Sequence, residues 1–202
     1  EAGIPKPRVY VLPTETPNAF ATGRNPKHAV VAATEGILKL LTEKELRGVI
    51  AHELGHVKNR DILITTIAAT IAAVISYVAM MARYAALFGG SRDRDNGGNV
   101  IGLILLTIIT PIVAMMIQLA ISRSREYHAD ETGAHLSKDP HALASALQKI
   151  HNGVKHHPLR GGSPATSSLF IVNPFSAGFF ISLLSTHPPM EERVKRLKGM
   201  KV

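Results

Sequence analysis

Two uncharged apolar stretches constrain this chain more than anything else in it. Ile62 to Ala82 runs 21 residues without a charge, and Val100 to Ile121 runs 22. As helices each would extend about 31–33 Å, close to the hydrocarbon thickness of a bilayer. A 202-residue chain is large enough to bury a core, but a soluble domain of that size rarely needs two apolar helices so long. Pro111 inside the second stretch is also better tolerated in a membrane than in a soluble helix. The link between them, Arg83 to Asn99, is short, polar and glycine-rich, so the two stretches are expected to form an antiparallel transmembrane hairpin.

Charge placement orients that hairpin. Lys44, Arg47, Lys58 and Arg60 precede it and Arg123, Arg125 and Lys138 follow, whereas the link carries only Arg83, Arg92 and Arg94. By the positive-inside rule both flanks face the cytoplasm, as in a multi-pass protein of the inner (plasma) membrane. The overall balance, 23 Lys and Arg against 15 Asp and Glu, points to a bilayer rather than a nucleic acid. Aromatic residues are only 5% and Trp is absent, which leaves little to stack bases on, and the basic residues are scattered. With no cysteine, thiolate metal sites, disulfides and cysteine nucleophiles are excluded. Glu1 in place of Met reads as a fragment or processed chain.

Before the hairpin, Arg8 to Leu12 and His28 to Ala33 read as strands, with Asn18 to Thr22 as a third. Thr34 to Leu41 reads as a short helix. Thr42-Glu43-Lys44-Glu45 is a capping box, and Leu46, Val49, Ile50, Leu54 and Val57 follow at helical spacing, so a helix is expected to run from there into the first span. After the hairpin, helices are expected over Arg123 to Leu136, from Asp139-Pro140 onward, and over Glu191 to Lys198. Gly153 to Ser168 reads as a loop, and Phe175 to Leu184 as an apolar segment too short to span, which packs in the core or grazes the interface.

The chemistry concentrates in His52-Glu53-Leu54-Gly55-His56. Residues four apart share one face of a helix, so His52 and His56 can aim ring nitrogens at one metal. Glu53 stands one position round, beside the water such a metal would hold. Zinc lowers the pKa of that water towards 7, and a carboxylate can take its proton. A catalytic zinc needs a third protein ligand. Glu126 is the leading candidate, with His128 and Asp130 as competitors. His56 lies six residues before the first apolar stretch and Glu126 five after the second, so an antiparallel hairpin sets both at similar depth. Asp130, one turn beyond Glu126, is placed to accept a hydrogen bond from a ligand histidine and fix its tautomer. Asp61 reads as a membrane-boundary residue or a partner of Arg60.

Four segments together resemble the HtpX-type membrane metallopeptidases, relatives of the CAAX-processing prenyl proteases. They are Asn18-Ala19-Phe20-Ala21-Thr22-Gly23, Ala51-His52-Glu53-Leu54-Gly55-His56-Val57, Ser124-Arg125-Glu126-Tyr127-His128-Ala129-Asp130 and Ser185-Thr186-His187-Pro188-Pro189. The resemblance implies one zinc per chain, held by His52, His56 and Glu126, with Glu53 as general base. It implies that Asn18, Ala19, Phe20 and Ala21 line the cleft and pair with substrate backbone, and that His187 stabilises the oxyanion. A His before Pro-Pro equally suits a helix-starting residue. Arg193 is a second candidate for the oxyanion task, though its basic helix reads first as a solvated face. The two further membrane helices usual ahead of the strands in such proteins do not occur here, which fits a truncated chain.

The fold expected is α+β: a mainly helical zincin-like peptidase domain with a small β-sheet, formed by residues 1–61 and 122–202, into which a transmembrane hairpin, 62–121, is inserted. The peptidase domain is expected to comprise the small sheet, the HExxH helix, the helix carrying Glu126 and the C-terminal helix. The function expected is an integral-membrane zinc endopeptidase acting on misfolded or membrane proteins at the cytoplasmic face, to which the resemblance adds protein quality control under stress. Its partners would be polypeptide substrates and the lipid bilayer, with no nucleic acid. The alternative is a non-catalytic metal-binding membrane scaffold, which would have no need of Glu53.

Overall fold

The computed structural model describes residues 2–88, 97–156 and 187–202. Three short strands, β1 (Arg8–Leu12), β2 (Ala19–Thr22) and β3 (Val30–Thr34), form one sheet in the order β1-β3-β2. β1 runs parallel to β3, from Arg8 opposite Val30 to Leu12 opposite Thr34. β2 runs antiparallel to β3, with Ala19 opposite Ala33 and Ala21 opposite Val31. The central strand is made of small and β-branched residues, and Val31, Ala32, Ala33 and Thr34 are buried. It starts two residues later than the expected His28. Asn25 accepts hydrogen bonds from the Lys27 and His28 amides, and with Pro26 this locks Pro26–His28 into a 3-10 turn.

Helices then follow caps written in the sequence. Thr34 closes β3 and opens α1 (Glu35–Leu40), its hydroxyl accepting from the Ile37 amide. Helix α2 (Glu43–Lys58) begins with the expected capping box: the Thr42 hydroxyl accepts from the Glu45 amide, and the Glu45 carboxylate accepts from the Thr42 amide. That carboxylate also takes Ser145 Oγ at 2.6 Å and Lys149 Nζ at 2.8 Å. Burial opposes its charge, but Lys149, Ser145 and Thr42 outweigh it and pull the Glu45 carboxyl down to about 2.

Contrary to expectation, α2 does not run on into the first apolar stretch. It stops at Lys58, Arg60 adopts a left-handed φ of 56°, and α3 (Asp61–Phe88) starts afresh. The Asn59 and Arg60 amides bond back to Gly55 and Val57 carbonyls, closing the turn. The second stretch behaves in the opposite way. α4 (Gly97–Ser137) is one continuous helix through Pro111 to the end of the expected Arg123–Leu136 helix. Asp139 then caps α5 (Pro140–His156), accepting from the Ala142 amide at 2.9 Å. α5 carries helix past Gly153, where a loop was expected. The rest of that loop, and Phe175 to Leu184, lie outside the described residues. α6 (Met190–Lys198) completes the described chain.

The chain divides into two compact units, residues 1–63 with 122–202, and residues 64–121. The first has a core centred on α5, whose Leu143, Ala144, Ala146, Leu147 and Ile150 are fully buried. Around them pack Ile37, Val49, Val194 and Leu197. Each such large side chain contributes about 1.5–3 kcal/mol through removal of its surface from water.

In the second unit many large apolar side chains face outward: Ile71, Val74, Val78, Ile108 and Met116 are all exposed. Two helical segments, Asp61–Ala85 and Leu105–Ser137, are long and apolar enough to cross a bilayer, with mean hydropathy 2.2 and 2.1 and only 6% of the apolar window buried inside the protein. A buried core helix would show the reverse. Even the Thr70 hydroxyl is satisfied within its own helix, donating to the Thr66 carbonyl, as a hydrocarbon environment demands.

Candidate metal centre

The site lies wholly within the first unit. α2 contributes His52 and His56 on one face, four residues apart, with ring centroids 4.7 Å apart and rings nearly perpendicular. α4 brings Glu126 and Asp130, again one turn apart, against that face. Two glycines make the approach tight enough. A Cβ on Gly133 would sit 2.8 Å from the His52 backbone, and one on Gly55 3.2 Å from the Ala129 carbonyl oxygen.

Three ligand atoms converge. His52 Nε2 and His56 Nε2 are 3.2 Å apart, His52 Nε2 lies 3.8 Å from Glu126 Oε2, and His56 Nε2 lies 3.6 Å from Glu126 Oε1. Atoms about 2.0–2.2 Å from a tetrahedral zinc lie about 3.3–3.6 Å from one another. The opposite ring nitrogens strengthen the fit. His52 Nδ1 is 3.0 Å from Asp130 Oδ1, and His56 Nδ1 is 2.7 Å from Asp61 Oδ2. A proton on His56 Nδ1 meets the Asp61 carboxylate, the arrangement that frees Nε2 for a metal, and the Asp130 carboxylate faces His52 Nδ1. Two imidazole nitrogens and a carboxylate converging at these distances suit a divalent metal.

The pull of the cluster on positive charge shows at His56. Burial disfavours charge on its ring, but the Asp61 hydrogen bond and the carboxylates of Glu126, Glu53 and Asp61 raise its pKa to about 9.

Glu53 is buried beside this cluster, and its Oε2 accepts a hydrogen bond from the Ala21 amide of β2 at 2.8 Å. Of the four residues expected to line a cleft, Ala21 therefore reaches the site directly. Asn18 is buried, its backbone amide donating to Thr34 Oγ1 and its carbonyl accepting from the Thr34 amide. Ala19 is buried and Phe20 half-buried. His187 is at the centre, with Nδ1 3.2 Å from Glu126 Oε1. Of the competing third ligands, His128 points away, more than half exposed and 3.8 Å from Glu131, and Asp130 is engaged with His52 and Arg193.

Two residues differ from the sequence reading. Arg193 is not a solvated charge but fully buried. Its Nε and Nη2 hold both oxygens of Asp130 at 2.8 and 2.7 Å, and Nη1 lies 3.0 Å from Glu126 Oε2. Burial works against the guanidinium, but Asp130 and Glu126 more than offset this and raise its pKa further, so it stays a cation. A signal was present, because 193, 194 and 197 share the face of α6 that carries buried Val194 and Leu197. Asp61 pairs not with Arg60 but with His56 and Arg125. No helical spacing predicts that pairing, since it depends on the break at Arg60.

The sequence profile of Peptidase family M48 matches residues 1–201. The chain belongs to peptidase family M48. Among its relatives in that family, a "Protease HtpX homolog" of Thermococcus kodakarensis is 60% identical over 98% of this chain and 68% of its own length. Homologs with the same name from Pyrococcus furiosus and Syntrophobacter fumaroxidans are 59% and 56% identical, with 68% and 72% of their lengths covered. The crystal structure of S. mikatae Ste24p shares the fold, with a TM-score of 0.62 at 21% identity. The alignment covers 96% of this chain but about half, 47%, of that protein. The M48 chain described here is thus a metallopeptidase, α+β with a small sheet, carrying two helices suited to a membrane.

Proposed function

We propose that this M48 chain is an integral-membrane zinc endopeptidase with one zinc per chain, held by His52, His56 and Glu126. The observation that carries this reading is the convergence of two Nε2 atoms and a carboxylate, with the carboxylates of Asp130 and Asp61 facing the two Nδ1 atoms. Residues 1–61 and 122–202 form the peptidase domain, and 62–121 form a membrane hairpin with the site on the cytoplasmic side, by the excess of Lys and Arg on its flanks. Misfolded or membrane-bound polypeptides reaching that face are the substrates, which suits protein quality control.

Zinc, when bound, acidifies a water molecule and polarises the scissile carbonyl. The chain's own residues do the rest. β2 offers its outer edge to an extended substrate. Glu53, steadied by the Ala21 amide, takes a proton from the attacking water and delivers it to the leaving amine. Arg193 and His187 place positive charge and a proton donor beside Glu126, where negative charge develops on the carbonyl oxygen.

The test is cleavage of an unfolded protein by full-length protein in detergent, stripped of metal and reloaded with zinc, with Glu53→Gln compared and bound zinc counted. Both should hold one zinc, and the variant should be slower by about 10²–10⁴-fold. Equal cleavage by both would make Glu53 the wrong base.

A further inference from the structure

Asp61 is 5% exposed and opens α3. Its two oxygens do different work: Oδ2 lies 2.7 Å from His56 Nδ1, and Oδ1 accepts from Arg125 Nε at 2.6 Å. On an unbroken helix, a residue five positions after His56 would point away from it, about 140° round the axis and 7.5 Å further along. The left-handed Arg60 ends α2 and restarts the chain so that Asp61 meets the ring. Arg125 comes from α4 and immediately precedes Glu126. The same turn of α4 therefore supplies one candidate ligand and grips the carboxylate that faces another.

We propose that Asp61 is a positioning residue of the metal centre. Its carboxylate holds the Nδ1 proton of His56, fixes the ring plane and turns the Nε2 lone pair towards the metal, while Arg125 fixes the carboxylate. The Asp130 carboxylate lies 3.0 Å from His52 Nδ1, so each of the two histidines of one helix has beside its Nδ1 a carboxylate from a different helix. A purely structural ion pair with Arg125 would need no contact with the imidazole. The shared carboxylate is what links Arg125 to a metal ligand. The inference rests on the reading of His52, His56 and Glu126 as the metal ligands.

The test is zinc affinity, measured on the full chain in detergent by competition with a chromophoric chelator, for wild type, Asp61→Asn and Arg125→Gln. Asp61→Asn keeps the shape of the side chain but not its charge, and should weaken zinc binding by about 10- to 100-fold. Arg125→Gln leaves the carboxylate in place and should weaken it by a smaller factor. The visible spectrum of the cobalt(II)-loaded protein should change in Asp61→Asn, because the His56 ring is no longer held. If wild type binds no zinc, the metal reading fails and this inference with it. If wild type binds zinc and both variants match its affinity, the metal reading stands and the positioning role is overturned. Should Asp61→Asn not fold, Arg125→Gln decides: unchanged affinity overturns the role and weakened affinity supports it.

Discussion

The two units of this chain are specified in different ways. In the first, positions matter one by one. Arg193 is fully buried between two carboxylates, Glu45 holds the Thr42 cap as well as Ser145 and Lys149 of α5, and Gly133 lies against the backbone of His52. In the second, apolar side chains face outward along both helices, and a Cβ placed on Gly102 would meet nothing within 4 Å. One unit is written in particular residues, and the other in composition and length. Substitutions should therefore be costly in the first and cheap in the second, provided they keep the apolar character of the surface.

The sharpest break in that pattern should come at Arg193. Arg193→Ala leaves Asp130 and Glu126 buried without their cation, which costs about 3–5 kcal/mol for such pairs. Chemical denaturation should show that loss, and peptidase activity should fall with it. A smaller loss would mean that the buried ion cluster contributes less than its burial suggests.

Next in size is a paired test on one helix. Gly133→Ala places a methyl 2.8 Å from His52 backbone atoms, an overpacking that costs about 1–3 kcal/mol, and zinc affinity should drop. Gly102→Ala, in the same α4, should be neutral or stabilising by up to about 1 kcal/mol, since alanine favours helix over glycine. Equal effects at both sites would erase the contrast between the units.

The smallest effect is in pH. The Glu45 carboxyl is held down to about 2, below its ordinary value, so it contributes stability that is complete above about pH 4.5 and fades as pH falls towards 2. Thermal melts of wild type should lose ground between pH 5 and 3, and Glu45→Gln should show a shallower loss over that range. Parallel slopes would remove Glu45 from the acid response.

Much of this is legible in the residues alone. The meeting of His52 with His56 follows from helical spacing, the Thr42–Glu45 box from its pattern, and the Asp139 cap from the proline after it. What is not legible depends on contacts that no local period encodes. A left-handed Arg60 turns an apparent continuation of α2 into a break, and only then does Asp61 face His56. Arg193 lies in a basic segment whose composition suggests solvent, while its place beside Val194 and Leu197 puts it in the core. Gly133 carries no motif, because its reason is the distance to another helix.

The hydrogen bond from Ala21 to Glu53 has a consequence for selectivity. A main-chain amide committed to the base is withdrawn from any guest strand laid along β2, so under the proposed mechanism the ladder skips a rung at the carboxylate. The bond to be cut is then set by alignment against that gap, much as a ruler is read from its zero mark. Such an enzyme would discriminate less by side chains than by whether a polypeptide can lie extended along that edge for a few residues.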